Sequence, residues 1–287
     1  MRSYLSLLKF AHTIFALPFA FLAFFLGLAA EGASINWLLF LLILLCMVFA
    51  RSAAMAFNRY VDRHIDAENT RTLIREIPSG VIKPASALRL VIFMAFAFIF
   101  TTYWINPLCF YLSPLALLVV LGYSYTKRFT WLCHFVLGLG LGLAPVGAYI
   151  AVTGRFELLP ILYGIMVMLW VSGFDILYAL QDEAFDKQHG LYSVPGRFGK
   201  EKAKQIAIGL HSICAIFLVC ITYYQSLLFP SLGILHIIGA IGFIGLLMWQ
   251  HRLVRLYDLT KINQAFFETN GIASILFGSA VIVDVLF

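Results

Sequence analysis

Asn58, Asp62 and Asp66 recur at a spacing of four in Asn58-Arg59-Tyr60-Val61-Asp62-Arg63-His64-Ile65-Asp66. A helix sets residues four apart on one face, so three oxygen-bearing side chains stack there. Asp182 and Asp186 repeat the spacing further along, seven residues beyond Asp175. Adjacent carboxylates repel one another unless a cation sits between them. Hard oxygen donors with room for water suit Mg²⁺, which carboxylates usually hold together with substrate phosphates. Two such clusters on two helices can hold metal ions that bridge to a diphosphate. Acids at a helix end can also be merely solvated, or paired locally with Arg63. Their recurrence at two separate helix ends favours the metal reading.

Basic residues stand near both clusters. Arg71 and Arg75 lie in Arg71-Thr72-Leu73-Ile74-Arg75-Glu76-Ile77-Pro78-Ser79-Gly80, and Lys127-Arg128 end another apolar run. Arginine offers a planar fork to phosphate oxygens, and lysine a point charge. Tyr178, one turn before Asp182, is a candidate pocket residue. His12 reads as a packed histidine, His64 as surface, and His189 as a residue near the second acid pair. Cys46, Cys109, Cys133, Cys214 and Cys220 all lie in apolar runs without a CxxC pair, which suggests packing rather than zinc or disulfides.

The elements that carry these residues follow from composition. Of 287 residues, 62% are hydrophobic and only 12% charged, and the mean hydropathy is +0.93. A soluble domain cannot hide that much apolar surface, which excludes a cytosolic enzyme, a disulfide-rich module and a nucleic-acid-binding domain. The expected fold is all-α: a polytopic membrane bundle forming one domain over residues 1–287. Nine spans of roughly 20 residues are expected near 11–30, 35–57, 87–104, 107–124, 131–152, 158–180, 204–224, 229–250 and 266–287. Ile105-Asn106-Pro107 turns the third span into the fourth. Of the 20 Lys and Arg, 18 fall at alternate ends on one side, Arg155 falls on the other, and Arg51 lies inside the second span. The excess of positive charge places the N-terminus in the cytoplasm. Two long polar loops, 58–86 and 181–203, then share the cytoplasmic side, where long loops point to function.

The acidic motif, Arg71-Thr72 with Pro78-Ser79-Gly80, Tyr125-Thr126-Lys127, and the stretch from Asp175 through Tyr178, Asp182, Asp186, Gly190 and Ser193 to Phe198-Gly199 resemble the UbiA-type intramembrane aromatic prenyltransferases. Within that family the chain is most similar to 4-hydroxybenzoate polyprenyltransferases and related quinone-pathway enzymes. One departure is Arg59, where many members carry Asp. The resemblance implies an integral enzyme of a bacterial inner membrane, its site open to the cytoplasm. It implies two Mg²⁺ ions held by Asp62, Asp66, Asp182 and Asp186, with Asn58 as a neutral or outer ligand. Arg71, Lys127 and Arg128 would stabilise the departing pyrophosphate of a polyprenyl diphosphate, and an aromatic acid would take the prenyl group. Haem, chlorophyll-type or tocopherol-type ring acceptors are the alternatives. A cation-coupled transporter is a further one, disfavoured because the acids gather at helix ends rather than near the midplane. A purely structural assembly protein gives no reason for two matched clusters.

Two charges lie deeper. Arg51 precedes Asn58 by seven residues, as Asp175 precedes Asp182. Seven residues rise roughly 10 Å along a helix, so each sits on its cluster's face but further into the membrane. A buried charge needs a partner. The expectation is an Arg51–Asp175 ion pair, or else an Arg51 that receives the acceptor's carboxylate.

Overall fold

The computed structural model describes Leu7, residues 15–257 and residues 262–287. Twelve helices carry the fold: α1 (Leu17–Glu31), α2 (Trp37–Val61), α3 (Arg63–Glu68), α4 (Pro84–Tyr103), α5 (Pro107–Thr126), α6 (Cys133–Thr153), α7 (Leu158–Ala179), α8 (Glu183–Gln188), α9 (Val194–Phe198), α10 (Lys200–Leu228), α11 (Leu235–Tyr257) and α12 (Asn270–Leu286). Helical turns over Ile262–Gln264 and Ala265–Thr269 precede the last. No strand occurs among the described residues. Among the described residues, eight helical segments are long and apolar enough to cross a membrane. The first expected span appears as α1, fifteen residues or about 22 Å of helix. The start of that span, with His12, lies outside the described residues. Exposed rings such as Phe93, Phe96 and Tyr111 stud the outer faces, as lipid contact requires.

Short turn chemistry ends the helices. Asn36 caps α2 by accepting from the Leu39 amide at 3.1 Å. Asn106 caps α5 through the Cys109 amide at 2.8 Å, with Pro107 at the first helical position, where a missing amide costs nothing. The amide nitrogen of Asn106 also donates to the Ile150 carbonyl at 2.9 Å, so the expected hairpin turn is tied to the end of α6.

The core lies where α1, α7, α10, α11 and α12 meet. Phe19, Trp170, Phe243 and Phe277 are buried there, ring against ring. Polar pins cross the same core: Trp170 Nε1 donates to Asn270 Oδ1 at 3.0 Å, and the Tyr163 hydroxyl to Gln225 Oε1 at 2.5 Å. Helices α6 and α7 approach closely because glycines line their seam. A Cβ on Gly138 would lie 2.5 Å from the Met168 carbonyl oxygen, and one on Gly142 would overlap the Gly164 carbonyl. Small residues four apart permit such contact between apolar helices. One turn earlier in α6, the same seam brings His134 opposite Ser172 and Asp175.

Candidate active site

The polar residues gather at one end of the bundle, where α2, α5 and α7 finish and the two long loops begin. In the last turn of α2, Asn58 donates to Asp62 Oδ2 at 2.9 Å. The helix breaks at Asp62, and α3 resumes with Asp66 one turn on, where its amide bonds the Asp62 carbonyl at 2.8 Å. Arg128 Nη2 reaches Asp62 Oδ1 at 2.9 Å. Burial nevertheless holds the Asp62 carboxyl above its ordinary range, and the Arg128 charge only partly offsets this. Asp66 is buried and accepts from Arg75 at 2.6 Å. Its other oxygen has no partner among the described residues.

The second cluster follows α7. A 3₁₀ turn over Leu180–Asp182 leads into α8, and Asp182 and Asp186 take different partners. Asp182 takes the fork of Arg71, with Nε at 3.0 Å and Nη2 at 2.6 Å. Burial works against the Arg71 charge, but the bonds and charge of Asp182 prevail and keep it above the ordinary range. Asn69, from the first loop, also donates to Asp182 at 3.2 Å. Asp186 is sealed: its side chain has no exposed surface, Lys127 Nζ lies at 2.7 Å, and the Ser193 hydroxyl donates at 2.7 Å. Burial likewise opposes the Lys127 charge, and Asp186 outweighs it to leave Lys127 raised.

Each of the four carboxylates already has its own Arg or Lys. Among the described residues no three acids or imidazoles surround a common point. The set still fits Mg²⁺ by its donors, which are hard oxygens with one free on buried Asp66.

Two cavities meet here. The polar one, about 230 Å³, is lined by Asn58, Asp62, Asp66, Arg71, Lys127 and Asp182, with Arg75, Asp175 and Tyr178 also on its wall. The apolar one, about 190 Å³, runs between α2, α4, α5 and α6 towards Ile105 and Ala151 at the far end. Tyr123 and Leu137 line both and form the neck between them. Arg128 stands just outside the polar wall, bonded to Asp62 and to the Val61 carbonyl.

The Arg51–Asp175 pair does not form. Asp175 Oδ2 is bonded to His134 Nδ1 at 2.7 Å, because the glycine seam holds α6 against α7 and supplies the nearer partner. Arg51 instead lines the apolar cavity beside Tyr123, its Nε without a partner among the described residues. Tyr178 does line the polar cavity, with Arg71 over its ring at 5.6 Å. His64 is exposed as expected. His189 turns to Glu68 and Phe185 rather than to the cavity. Of the five cysteines, all free, only Cys214 is buried. Cys133 lines the polar cavity, and Cys46 and Cys109 the apolar one. The sequence reading passed over Asn69, Tyr123 and His134. None falls in an i, i+4 acid pattern, and only the folded loops bring them to the site.

Known proteins resemble this chain throughout. A model described as the UbiA prenyltransferase family matches residues 16–272. The 4-hydroxybenzoate octaprenyltransferase of Aeromonas hydrophila is 30% identical over 268 residues, which is 90% of this chain and 87% of that protein. Its Aeromonas salmonicida counterpart is 31% identical over 88% of this chain and 85% of that protein. Among solved structures, the apo form of a UbiA homolog from Aeropyrum pernix K1 superposes with a TM-score of 0.84 at 28% identity, over 95% of this chain and 98% of that one. A UbiA homolog from Archaeoglobus fulgidus bound to GPP and Mg²⁺ shares the fold, with a TM-score of 0.73 at 21% identity over 99% of this chain and 100% of that one.

Proposed function

This chain belongs to the UbiA prenyltransferase family, and from that premise we propose that it moves a polyprenyl group from a polyprenyl diphosphate onto an aromatic acid, 4-hydroxybenzoate or a related quinone precursor, with release of pyrophosphate. The observation that carries this reading is the junction of the two cavities at Tyr123 and Leu137. A charged compartment that opens through a neck onto an apolar one matches a substrate with an anionic head and a hydrocarbon tail.

Mg²⁺ held by Asp62, Asp66 and Asp182, with Asn58 beside them, would neutralise the diphosphate and ease its departure. Asp186, sealed against Lys127 and Ser193, would support that set from outside the cavity lining. Arg71, Arg75, Lys127 and Arg128 hold the acids in place beforehand, and their donors suit phosphate oxygens when the head group arrives. The C1–O bond of the donor breaks with its electron pair leaving on pyrophosphate. The positions of Tyr123, Tyr178 and Leu137 keep water from the allylic cation and offer ring faces to it. Arg51, a guanidinium in an apolar wall, favours an acceptor that carries a carboxylate over one without an anionic group.

Purified protein in detergent, given a polyprenyl diphosphate, 4-hydroxybenzoate and Mg²⁺, is expected to form prenylated 4-hydroxybenzoate by mass spectrometry and to stop with EDTA. Prenylation of none of a panel of hydroxybenzoates, or full activity in EDTA, overturns the reading. The cytoplasmic placement of loops 58–86 and 181–203 is tested by cysteines at exposed Ser79 and Phe156 in a cysteine-free background. Only the second is expected to react with an impermeant thiol reagent added outside intact cells.

A further inference from the structure

Prenylation of a ring carbon is complete only when that carbon gives up its hydrogen, and a proton released in a water-poor cavity needs a base. Four carboxylates line the polar cavity: Asp62, Asp66, Asp175 and Asp182. Three of them hold Arg or Lys at 2.6–2.9 Å. Asp175 has only a histidine for a partner.

The histidine's protonation follows from its contacts. The Val194 amide donates to His134 Nε2 at 3.3 Å. A backbone amide can only donate, so Nε2 is an acceptor and the ring proton sits on Nδ1, aimed at Asp175 Oδ2 at 2.7 Å. One oxygen of Asp175 is thereby tethered. Its Oδ1 has no protein partner among the described residues, and the side chain is 24% exposed to the cavity.

We propose that Asp175 is the base that takes the ring proton of the acceptor, and that His134, buried and bonded on both nitrogens, is the positioning residue that keeps it aimed. The new C–C bond forms when the acceptor ring attacks the allylic cation left by cleavage of the donor's C1–O bond. The ring C–H bond then breaks, its electron pair restores aromaticity, and the proton passes to Asp175 Oδ1. Val194 follows Ser193, which bonds Asp186, so one loop ties the base to the diphosphate side of the site.

This inference rests on the proposed aromatic prenyl transfer, and the test separates the two. Wild-type protein and the variants Asp175→Asn, His134→Phe and His134→Gln are assayed with a hydroxybenzoate deuterated at its reacting positions. The wild type is expected to transfer without an isotope effect, since donor ionisation limits it. Asp175→Asn is expected to lose about 100-fold in kcat and His134→Phe about tenfold, each with a deuterium effect of about threefold and an unchanged KM for the prenyl diphosphate. His134→Gln, whose amide can both donate to Asp175 and accept from Val194, is expected to recover most of the activity. An inactive wild type refutes the enzyme reading. An active wild type with no isotope effect in Asp175→Asn, or with His134→Phe within twofold of normal turnover, overturns the inference. Asp175→Asn keeps the shape and partner of the native side chain, so it remains informative if His134→Phe does not fold.

Discussion

The two sides of the bundle are built differently. The α7 and α12 side is packed solid: about half or more of each apolar stretch is inside the protein, and Trp170, Tyr163 and Phe277 are fully buried. The α2, α4 and α5 side surrounds a cavity and buries only about a quarter of each helix. Each side contributes one acidic cluster, Asp62 and Asp66 from the open side and Asp182 from the packed one. The packed side is a scaffold, and the open side a sleeve that can accept a flexible chain without losing native contacts. The candidate active site is the seam between them, crossed by Arg71 to Asp182 and Lys127 to Asp186.

The contrast is sharpest in stability. Trp170→Ala empties the scaffold's centre and strands Asn270, so it is expected to cost about 4 kcal/mol in equilibrium unfolding. Leu112→Ala, on the cavity wall, is expected to cost about 1 kcal/mol or less because that side chain already faces space. Equal losses would mean that the sleeve is as tightly built as the scaffold.

The acids break the comparison in the other direction. Asp66→Asn and Asp182→Asn are each expected to lower prenyl transfer about 100-fold, or 2.7 kcal/mol, with little change in melting temperature. If the variant from one side keeps near-native activity in excess Mg²⁺, the two sides do not share the site equally.

Filling the sleeve separates binding from folding. Ala116→Trp is expected to lower kcat/KM for long-chain donors about tenfold relative to a geranyl donor, as a partial loss of apolar burial would, while thermal unfolding stays within a few degrees. Equal losses for short and long donors would mean that the tail does not use this cavity. The smallest effect belongs to the loop contact across the seam. Asn69→Ala removes one hydrogen bond to Asp182, worth about 1 kcal/mol, and is expected to raise KM for the prenyl diphosphate about fivefold. An unchanged KM would assign Asn69 to loop folding alone.

Much of this was legible without coordinates because the signals are local. The spacing of Asn58, Asp62 and Asp66 is a helix-face pattern, and Asn106-Pro107 carries its own turn chemistry. The pairings were not legible. Asp182 and Asp186 read as a matched pair on one face, yet Asp182 lines the polar cavity while Asp186 is sealed against Lys127 and Ser193. Arg51 and Asp175 read as partners by depth alone. Depth along two helices does not say which third helix stands between them.

The sequence by itself determined an all-helical membrane bundle, the polar end of that bundle and the acidic and basic residue types gathered there. Hydropathy, helix period and charge placement act over one or two turns and need no knowledge of neighbours. Tertiary structure alone decided which acid holds which base, where the apolar cavity runs and that His134 bonds Asp175. Those outcomes depend on how closely helices approach, and here a glycine seam between α6 and α7 sets that distance through van der Waals contact that no single segment can encode.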